Sequence, residues 1–433
     1  MTSEAPKFLI GASIPRSGHH FLQNLLTRYF GPQMHYCEFY SPKDCCKSIP
    51  CTKRGAFSVI YQKSHDREQE VPTTVSGATY VIQYRHPVPE ALSDRELDVQ
   101  DGIGRSSLNY RLSRAHYAAW LANKAIYYRR FHDKWMAKRV PNGIYLDYER
   151  LSEQPAEMVA AIVDAATGGA TDRARVAAVV EEAKSIRVST ASKTPTGFKP
   201  RVAEESPHFD RDLLGAFEDY VVSRTPAFGF TRMIPEGRYE GHLLQGLVLA
   251  LDEAEPVPPG HADRLDAALA LAGEHPEVMI RLSQRDMRAG NTAAAAERLA
   301  RAARQHPYCT PIWKPLLAAY RAMKVPPPAE LFGGDALLGM VGRPEVLVDA
   351  GKVLLDAGQT VNAIAALTLA ITYAERNARA HLLLANALMK ANRPQQALPH
   401  AETAVQLDPA NQAAAQMLGA VQKRLANRRP AAA

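Results

Sequence analysis

Ten residues near the start of the chain, 13–22, combine an arginine, a glycine and two adjacent histidines. They follow the apolar stretch 8–12, which predicts a buried strand, and they lead into 20–29, where leucines on one face predict a helix. A turn between a strand and a helix exposes the free amides of the first helical turn, and the helix dipole favours negative charge there. Arg16 and the histidines add side-chain donors. The stretch therefore predicts a binding site for phosphate or a similar tetrahedral oxyanion.

A nucleoside-triphosphate loop is the obvious alternative for this turn. That loop requires Gly-x-x-x-x-Gly-Lys-Ser/Thr, in which the lysine reaches the outer phosphates and the hydroxyl holds magnesium. Here Gly11 and Gly18 are seven positions apart, no lysine follows Gly18, and no hydroxyl residue occupies the magnesium position. Taken by itself, the loop could be an anion-binding site or an ordinary strand-to-helix turn. The rest of the chain decides between these two interpretations.

The first half of the chain alternates between predicted strands and helices. Alternating or β-branched apolar residues predict strands at 8–12, 57–61, 79–84 and 143–148. Amphipathic helices are predicted at 89–97, 106–137, 155–166, 172–186 and 210–224, whereas 37–52 is predicted to be a loop. Strands that alternate with helices form a parallel sheet covered on both faces. The fold class of this half is therefore predicted to be α/β, with a P-loop-like parallel sheet flanked by helices.

Each polar cluster in this half of the chain comes just after a predicted strand. Lys63 and His65 follow the second strand, and Arg85 and Ser93 follow the third. Ligands of open parallel sheets bind at the carboxyl ends of the strands. We therefore expect these side chains to share one site with the loop at 13–22.

The ordered series of motifs over about 7–232 resembles the sulfotransferases that use 3′-phosphoadenosine 5′-phosphosulfate (PAPS). Pro15-Arg16-Ser17-Gly18-His19-His20 is similar to the arginine version of the family's phosphosulfate loop, with histidines in place of the usual hydroxyl residues. Arg85 and Ser93 stand eight positions apart, which is the family's spacing for the pair that holds the 3′-phosphate. Lys63-Ser64-His65 looks like the Lys-Thr-His of cytosolic members, whose histidine is the catalytic base.

Two later segments extend the resemblance. Tyr148-Glu149-Arg150-Leu151 looks like the family's Tyr-Glu-x-Leu segment. The polar loop 192–199 matches the family's Lys/Gly-rich loop, which closes on the 3′-phosphate, only at Lys193 and Gly197.

The resemblance implies an enzyme that transfers the sulfuryl group of PAPS to a hydroxyl or amine acceptor and releases PAP, with no metal required. His65 is then the general base, because an imidazole titrates near working pH, and Lys63 and Arg16 stabilise the transferring group. The arginine in the loop favours a saccharide as the acceptor. The cofactor-binding residues implied are Arg16, Ser17, Gly18, His19, His20, Phe21, Arg85, Ser93 and Lys193.

Two other functions stay open at this stage. A nucleotide or small-molecule kinase on a related sheet would need the lysine and the magnesium-binding hydroxyl that the first loop lacks. A catalytically inactive nucleotide-binding domain attached to an interaction module would bind the nucleotide without turnover.

The second half of the chain contains a 34-residue repeat. Similar fragments begin at 289, 357 and 391, each followed by an Ala/Leu-rich helix, and prolines at 326–328 interrupt the copy expected near 323. This period resembles tetratricopeptide (TPR) repeats, which stack into a curved array and bind protein partners or self-associate. The domains predicted are 1–235 (α/β), 236–264 (linker), 265–426 (all-α TPR-like solenoid) and 427–433 (disordered tail).

Composition sets wider limits on function. The chain has 433 residues and a formal charge of +7, which suits anionic ligands without requiring nucleic acid. No leader peptide or membrane-spanning run is evident, so a cytoplasmic protein is expected.

Four cysteines, at 37, 45, 46 and 51, lack the Cys-x-x-Cys spacing of zinc knuckles. Reduced thiols are expected there, with a metal site or a local disulfide as alternatives, and Cys309 is expected in the core.

Overall fold

The computed structural model describes residues 6–39, 45–53, 55, 57–102, 112–185, 202–237, 241–252 and 275–427. These residues divide into two compact units. The sheet unit lies within Met1–Asp98 and Leu121–Val248, and the repeat unit lies within Val99–Trp120 and Leu249–Ala433. The sequence analysis placed residues 1–235 in one domain. In the structure, 99–120 is grouped with the repeat unit instead. Within the repeat unit, Nε2 of His275 lies 2.7 Å from the carbonyl oxygen of Ala115, a contact that periodicity cannot predict.

The sheet unit is built on a parallel sheet, as predicted. The described strands are β1 (Lys7–Ser13), β2 (Met34–Glu38), β3 (Val59–Ser64), β4 (Ala78–Tyr84) and β5 (Gly143–Asp147). Their order across the sheet is β2-β3-β1-β4-β5, and every pairing is parallel. All six residues of β3 are buried, which fits a central strand that is covered on both faces.

The register aligns the carboxyl ends of the three central strands. Ala12 of β1 pairs with Ser64 of β3, and Ser13 pairs with Gln83 of β4. The chain leaves β1 toward β2 and β3 on one side and later adds β4 on the other. The residues that follow these three strands therefore meet at the point where the strand order reverses, which is where open α/β sheets bind ligands.

The edge strand β2 was missed by the sequence analysis, which predicted a loop from 37 onward. Its five residues include no β-branched side chain, and they pair only with β3. A short edge strand is specified by its one neighbour rather than by its own composition. The strand at 57–61 was also predicted too short: β3 runs through Ser64, so Lys63 belongs to a strand and not to a loop.

Helices cover the sheet. One face packs against α1 (His19–Phe30), α5 (Pro155–Thr167) and α6 (Arg173–Ser185), whose core includes Leu22, Val159 and Val180. The other described helices of this half are α2 (Pro87–Gly102), α3 (Arg114–Phe131), α4 (Tyr148–Glu153) and α7 (Arg211–Arg224), together with a π-helical turn at His132–Met136. The predicted helices are present among the described residues, with ends shifted by a few positions and with 103–111 and 186–201 outside them.

The segment 236–264, predicted as a linker, contains helix α8 (Gly241–Leu251). Leu244, Leu247 and Val248 are buried on it. Their apolar side chains at helical spacing gain more from burial than from exposure in a linker. The predicted tail beyond Asn427 lies outside the described residues.

The repeat unit is a series of antiparallel helices with the predicted period. The described helices are α9 (Pro276–Arg288), α10 (Thr292–Gln305), α11 (Thr310–Met323), α12 (Asp335–Gly339), α13 (Pro344–Asp356), α14 (Thr360–Tyr373), α15 (Ala378–Lys390), α16 (Pro394–Leu407) and α17 (Gln412–Ala426). The first helices of successive repeats begin 34 residues apart, at 276, 310, 344, 378 and 412. Cys309 is buried in their core, as expected.

Prolines interrupt the second repeat, as predicted. Its first helix, α11, ends at Met323, and Pro326–Pro328 follow where a partner helix would begin. Only a 3-10 turn at Ala329–Phe332 and the short α12 occupy that place, because proline lacks the amide that a helix interior needs. Among the described helices of the whole chain, none has the length and apolar character needed to cross a bilayer.

Candidate functional site

The turn between β1 and α1 has the geometry of an anion site. Arg16 and Gly18 both adopt left-handed backbone conformations, with φ of 59° and 83°. A Cβ on Gly18 would lie 2.9 Å from the ring of Tyr148, so both the backbone and the space demand glycine. No side chain caps α1, and its first turn carries no acidic residue. The leading amides of α1 are therefore left for a ligand.

Ser17 holds the turn in place. Its hydroxyl donates to the carbonyl oxygen of Ile14 at 2.6 Å, and the residue is fully buried. The amide of Ile14 donates to the carbonyl oxygen of Gln83 at 2.9 Å, which ties the turn to β4. The hydroxyl of Ser17 is thus used within the turn. Its predicted contribution to a ligand is therefore limited to its backbone.

Three of the predicted site residues meet across 77 positions of sequence. Nε of Arg16 donates to Oγ of Ser93 at 3.0 Å. Nη1 of Arg85 donates to the carbonyl oxygen of Arg16 at 3.3 Å. The hydroxyl of Tyr128 donates to the carbonyl oxygen of Arg85 at 3.0 Å and fixes the start of the segment after β4. Two guanidinium groups and a hydroxyl therefore stand together beside the turn.

Arg85 is held in a nearly buried position by groups on α4. Its guanidinium carbon lies 4.0 Å from the ring centroid of Tyr148, and its Nε lies 3.6 Å from a carboxylate oxygen of Glu149. Within the described part of the chain, Nε of Arg85 has no hydrogen-bond partner. An incompletely satisfied guanidinium beside a positive turn is suited to a phosphate, which can accept two of its hydrogen bonds.

Lys63 and His65 form a contacting pair at the end of β3. The ammonium nitrogen of Lys63 lies 2.8 Å from Nε2 of His65 and 3.3 Å from a carboxylate oxygen of Glu38. Nδ1 of His65 lies 2.8 Å from the carbonyl oxygen of Ser13. A carbonyl oxygen only accepts, so Nδ1 carries the proton and Nε2 accepts from Lys63. The hydroxyl of Tyr127 donates to the carbonyl oxygen of His65 at 2.5 Å and fixes this segment.

The surroundings of the pair keep the imidazole of His65 neutral and bring the pKa of Lys63 close to neutral pH. Burial, reinforced by the charge of Lys63, lowers the pKa of His65 to about 3. Burial also lowers the pKa of Lys63 to about 8, against the opposing effect of Glu38. At neutral pH the imidazole is therefore unprotonated at Nε2, and Lys63 is mostly charged. A pKa of about 3 lies well below working pH, unlike the expectation from the sequence, so an anionic ligand must raise it before Nε2 can act as an efficient base.

The two histidines of the turn complete the cluster. The ring of His19 lies 4.0 Å from that of His20 and 4.9 Å, edge on, from that of His65. Both ring nitrogens of His19 are buried, and no partner for them exists among the described residues. Burial and the nearby Lys63 hold the pKa values of His19 and His20 below the usual range. Buried polar atoms without partners indicate a ligand in place of the missing contacts.

A cation is the other ligand that these groups suggest. His19, His20 and Glu38 each offer one ligand atom, and these atoms lie within 4.8 Å of one another. However, Lys63 already pairs with Glu38, and Arg16 is close enough to help lower the pKa of His20. Positive charges next to the ligand atoms oppose a metal ion and favour an anion. The charges around the cluster therefore suit an anion better than a metal ion.

Other predicted site residues lie apart from this cluster or outside the described chain. Phe21 is half-buried and packs against the core beneath α1, so its side chain supports the helix. Lys193 lies outside the described residues. Conversely, sequence analysis did not single out Glu38 or Tyr127. Glu38 ends the missed strand β2, and Tyr127 lies within a helix where nothing in the spacing marks it.

Comparisons with known proteins bear on the repeat unit. A family model described as tetratricopeptide repeat matches residues 378–411. Among solved structures, the crystal structure of MamA protein is similar at 18% sequence identity and a TM-score of 0.30, covering 36% of this chain and 85% of that chain. A search of curated proteins found no match. The family match and the 34-residue helix pairs together show TPR-like repeats in the C-terminal region.

Proposed function

We propose that this protein is a sulfotransferase that moves the sulfuryl group of PAPS to a hydroxyl or amine acceptor. The observation that carries the proposal is the chain of contacts Arg85–Arg16–Ser93, next to the pair Lys63–His65. A donor with two phosphate groups needs two separated sets of cations, and a hydroxyl acceptor needs a base beside one of them. The residues proposed to meet these requirements follow the carboxyl ends of β1, β3 and β4.

The residues present fit such a donor. Nε of Arg85 and both ring nitrogens of His19 are buried polar atoms that find no hydrogen-bond partner among the described residues, and in the neutral imidazole one of the two nitrogens is a donor. The uncapped N-terminus of α1 adds backbone amides. Arg85 with Ser93 would hold the 3′-phosphate, and Arg16, the amides after Gly18 and the two histidines would hold the 5′-phosphosulfate. When bound, PAPS supplies an activated sulfuryl group whose leaving group is a phosphate.

The chemical step follows from the proton positions in the site. Nε2 of His65 takes the proton of the acceptor hydroxyl, because Nδ1 keeps its own proton on the carbonyl oxygen of Ser13. The acceptor oxygen forms a bond to sulfur as the bond between sulfur and the 5′-phosphate oxygen breaks. Lys63 and Arg16 stabilise the negative charge that develops on the equatorial and leaving oxygens. PAP and the sulfated acceptor are the products.

The acceptor we propose is a saccharide, on the strength of the arginine in the turn at 13–22. The TPR-like repeats suggest interaction with a protein partner or with a second copy of the chain, because such arrays present extended surfaces. We propose that this unit brings the acceptor, or the protein that carries it, to the sheet unit.

Isothermal titration calorimetry with PAP in the presence of EDTA tests the donor assignment. Wild-type protein is expected to bind PAP without magnesium, and Arg85→Ala should lose roughly 2–4 kcal/mol of binding free energy. Arg150→Ala is the matched control, because Arg150 lies on the neighbouring helix α4 and pairs with the exposed Glu157. Its affinity for PAP should not change.

Other outcomes would assign a different function. Binding of ATP with magnesium and none of PAP would overturn the proposal in favour of a kinase. Binding of PAP without transfer of labelled sulfate to any saccharide, phenol or peptide acceptor would indicate a nucleotide-binding scaffold. Binding of neither nucleotide would leave the repeat unit as the functional part of the chain.

A further inference from the structure

Three cysteine sulfurs converge at the edge strand of the sheet. The Sγ atoms of Cys37, Cys46 and Cys51 all lie within 4.8 Å of one another. Cys37 belongs to β2, whereas the other two belong to the loop before β3. Cys45 packs against the same cluster, and none of these four described cysteines forms a disulfide. Convergence of thiols from two segments indicates a shared ligand.

We propose that this cluster binds one structural zinc ion through the thiolates of Cys37, Cys46 and Cys51, with Cys45 as the fourth ligand. Zinc–sulfur bonds of about 2.3 Å in a tetrahedral site place the sulfurs about 3.8 Å apart. The sulfurs of Cys37, Cys46 and Cys51 lie within 4.8 Å of one another, so these three must move together to bind the ion, and Cys45, which packs against them, must turn its sulfur toward it. An iron–sulfur cluster holds its thiolates farther apart, around several metal ions, so a single small ion fits better.

The surroundings of the sulfurs suit thiolates. The amide of Thr52 donates to Sγ of Cys46 at 3.4 Å, and the amide of Lys47 donates to Sγ of Cys45 at 3.2 Å. Nε2 of Gln62 lies 3.7 Å from Sγ of Cys37. Donors around sulfur ligands orient them and offset their negative charge, as the outer partners of metal sites do. These three donors come from the loop and from β3.

A disulfide explains the cluster less completely. One disulfide would join two of the three mutually close sulfurs and leave the third unpaired beside it. Cys37 and Cys51 are both almost fully buried, at 1% and 2% exposure, while the exposed Lys47 and Lys53 flank the loop. Positive charge next to several thiolates lowers the cost of an anionic zinc–thiolate centre.

The ion would fasten the loop before β3 to the edge strand. Cys37 directly precedes Glu38, and Gln62 directly precedes Lys63, so the cluster adjoins both members of the ion pair Lys63–Glu38. An edge strand of five residues with one partner has little stability of its own. Zinc would hold β2 in register and thereby keep Glu38 within reach of Lys63, a role separate from the transfer reaction.

Zinc content of the full chain, purified under reducing conditions, tests the proposal. Wild-type protein should contain about one zinc ion per chain, and Cys37→Ser and Cys51→Ser should lose most of it. Cys309→Ala is the matched control, since this buried cysteine lies in the repeat unit. It should keep its zinc.

Cobalt substitution reports on the ligands directly. The cobalt protein should show the visible bands of tetrahedral Co²⁺ and a thiolate-to-cobalt charge-transfer band in the near ultraviolet. Cys45→Ser should alter both if Cys45 is the fourth ligand, and unchanged spectra would remove it from the site. Should the cysteine variants fail to fold, titration of wild-type protein with a mercurial reagent should release zinc in proportion to the thiols modified.

Three results would overturn the assignment. The first is the absence of zinc and of any Co²⁺ uptake by reduced protein. The second is a disulfide between these cysteines, detected by mass spectrometry of protein from a reducing cytoplasm. The third is zinc that persists in Cys37→Ser and gives no thiolate charge-transfer band, which would place the ion at His19, His20 and Glu38.

Discussion

The ammonium nitrogen of Lys63 lies 2.8 Å from Nε2 of His65. The opposite nitrogen of that imidazole donates to the carbonyl oxygen of Ser13, so the lone pair of Nε2 is held by Lys63. In the proposed reaction this lone pair is the base. Lys63 must therefore turn toward an anionic ligand before Nε2 can accept a proton, and the cation and the base become available together when the donor binds.

The first prediction separates the roles of these two residues. His65→Asn keeps a donor for the carbonyl oxygen of Ser13 but lacks the basic nitrogen. It should lower kcat by about 100- to 10,000-fold while PAP affinity stays within about threefold. Lys63→Met should weaken both PAP binding and turnover. Transfer of labelled sulfate and calorimetry measure the two effects. His208→Asn is the control, because His208 is a half-buried histidine just before α7, outside the strand ends that carry the candidate site. Equal losses of binding and rate in His65→Asn would contradict a base at this position.

The second prediction concerns pH. Burial lowers the pKa of Lys63 to about 8, and a bound anion should raise it again. Binding should then take up a proton near pH 8, so PAP affinity should fall by at most about tenfold per pH unit above that value. Calorimetry in buffers of different ionisation enthalpy measures the uptake. Lys63→Met should flatten the profile, and the exposed Lys352→Met should not; a profile that stays steep in Lys63→Met would assign the proton to another group.

The third prediction concerns the carboxylate that competes for Arg85. Glu149 lies 3.6 Å from Nε of Arg85, and burial raises the pKa of Glu149 to about 7. Glu149→Gln should tighten PAP binding by about two- to fivefold, a modest effect because the glutamate is half exposed. The gain should grow above pH 7, where the wild-type carboxylate is ionised. Glu157→Gln is the control, and weaker binding in Glu149→Gln would mean that Glu149 positions Arg85 instead of competing for it.

The fourth prediction concerns the interrupted repeat. A Cβ on Gly339 would overlap the carbonyl oxygen of Pro307, whereas one on Gly419 would meet no atom within 4 Å. Gly339→Ala should therefore lower the free energy of unfolding by about 1–3 kcal/mol. Gly419→Ala should raise it by up to about 1 kcal/mol, because alanine is the better helix former. Urea unfolding followed by circular dichroism measures both, and a neutral Gly339→Ala would show that the chain relaxes there at no cost.

Parts of the fold were readable from local patterns alone. Buried runs such as 79–84 and helical periods such as 155–166 predicted their elements, and self-similarity at 34 residues predicted the repeats. These signals are local because strands and helices impose fixed spacings on apolar residues. The edge strand β2 was missed because it pairs only with β3 and its own composition does not mark it as a strand. Helix α8 was missed although its apolar residues have helical spacing, because the segment was predicted to be a linker.

The sequence by itself determined which residue types are available for the proposed chemistry. An arginine and two histidines in a strand-to-helix turn, Lys63 and His65 after one strand, and Arg85 with Ser93 after another are cations, donors and a base suited to a phosphate-containing ligand. Only the tertiary structure decided which of these side chains contact one another. Arg16 donates a hydrogen bond to Ser93, Lys63 contacts His65, and Glu149 lies beside Arg85. Residue types follow from the sequence, but strand order and register fix contacts between residues far apart in the chain, and burial at those contacts sets the pKa values.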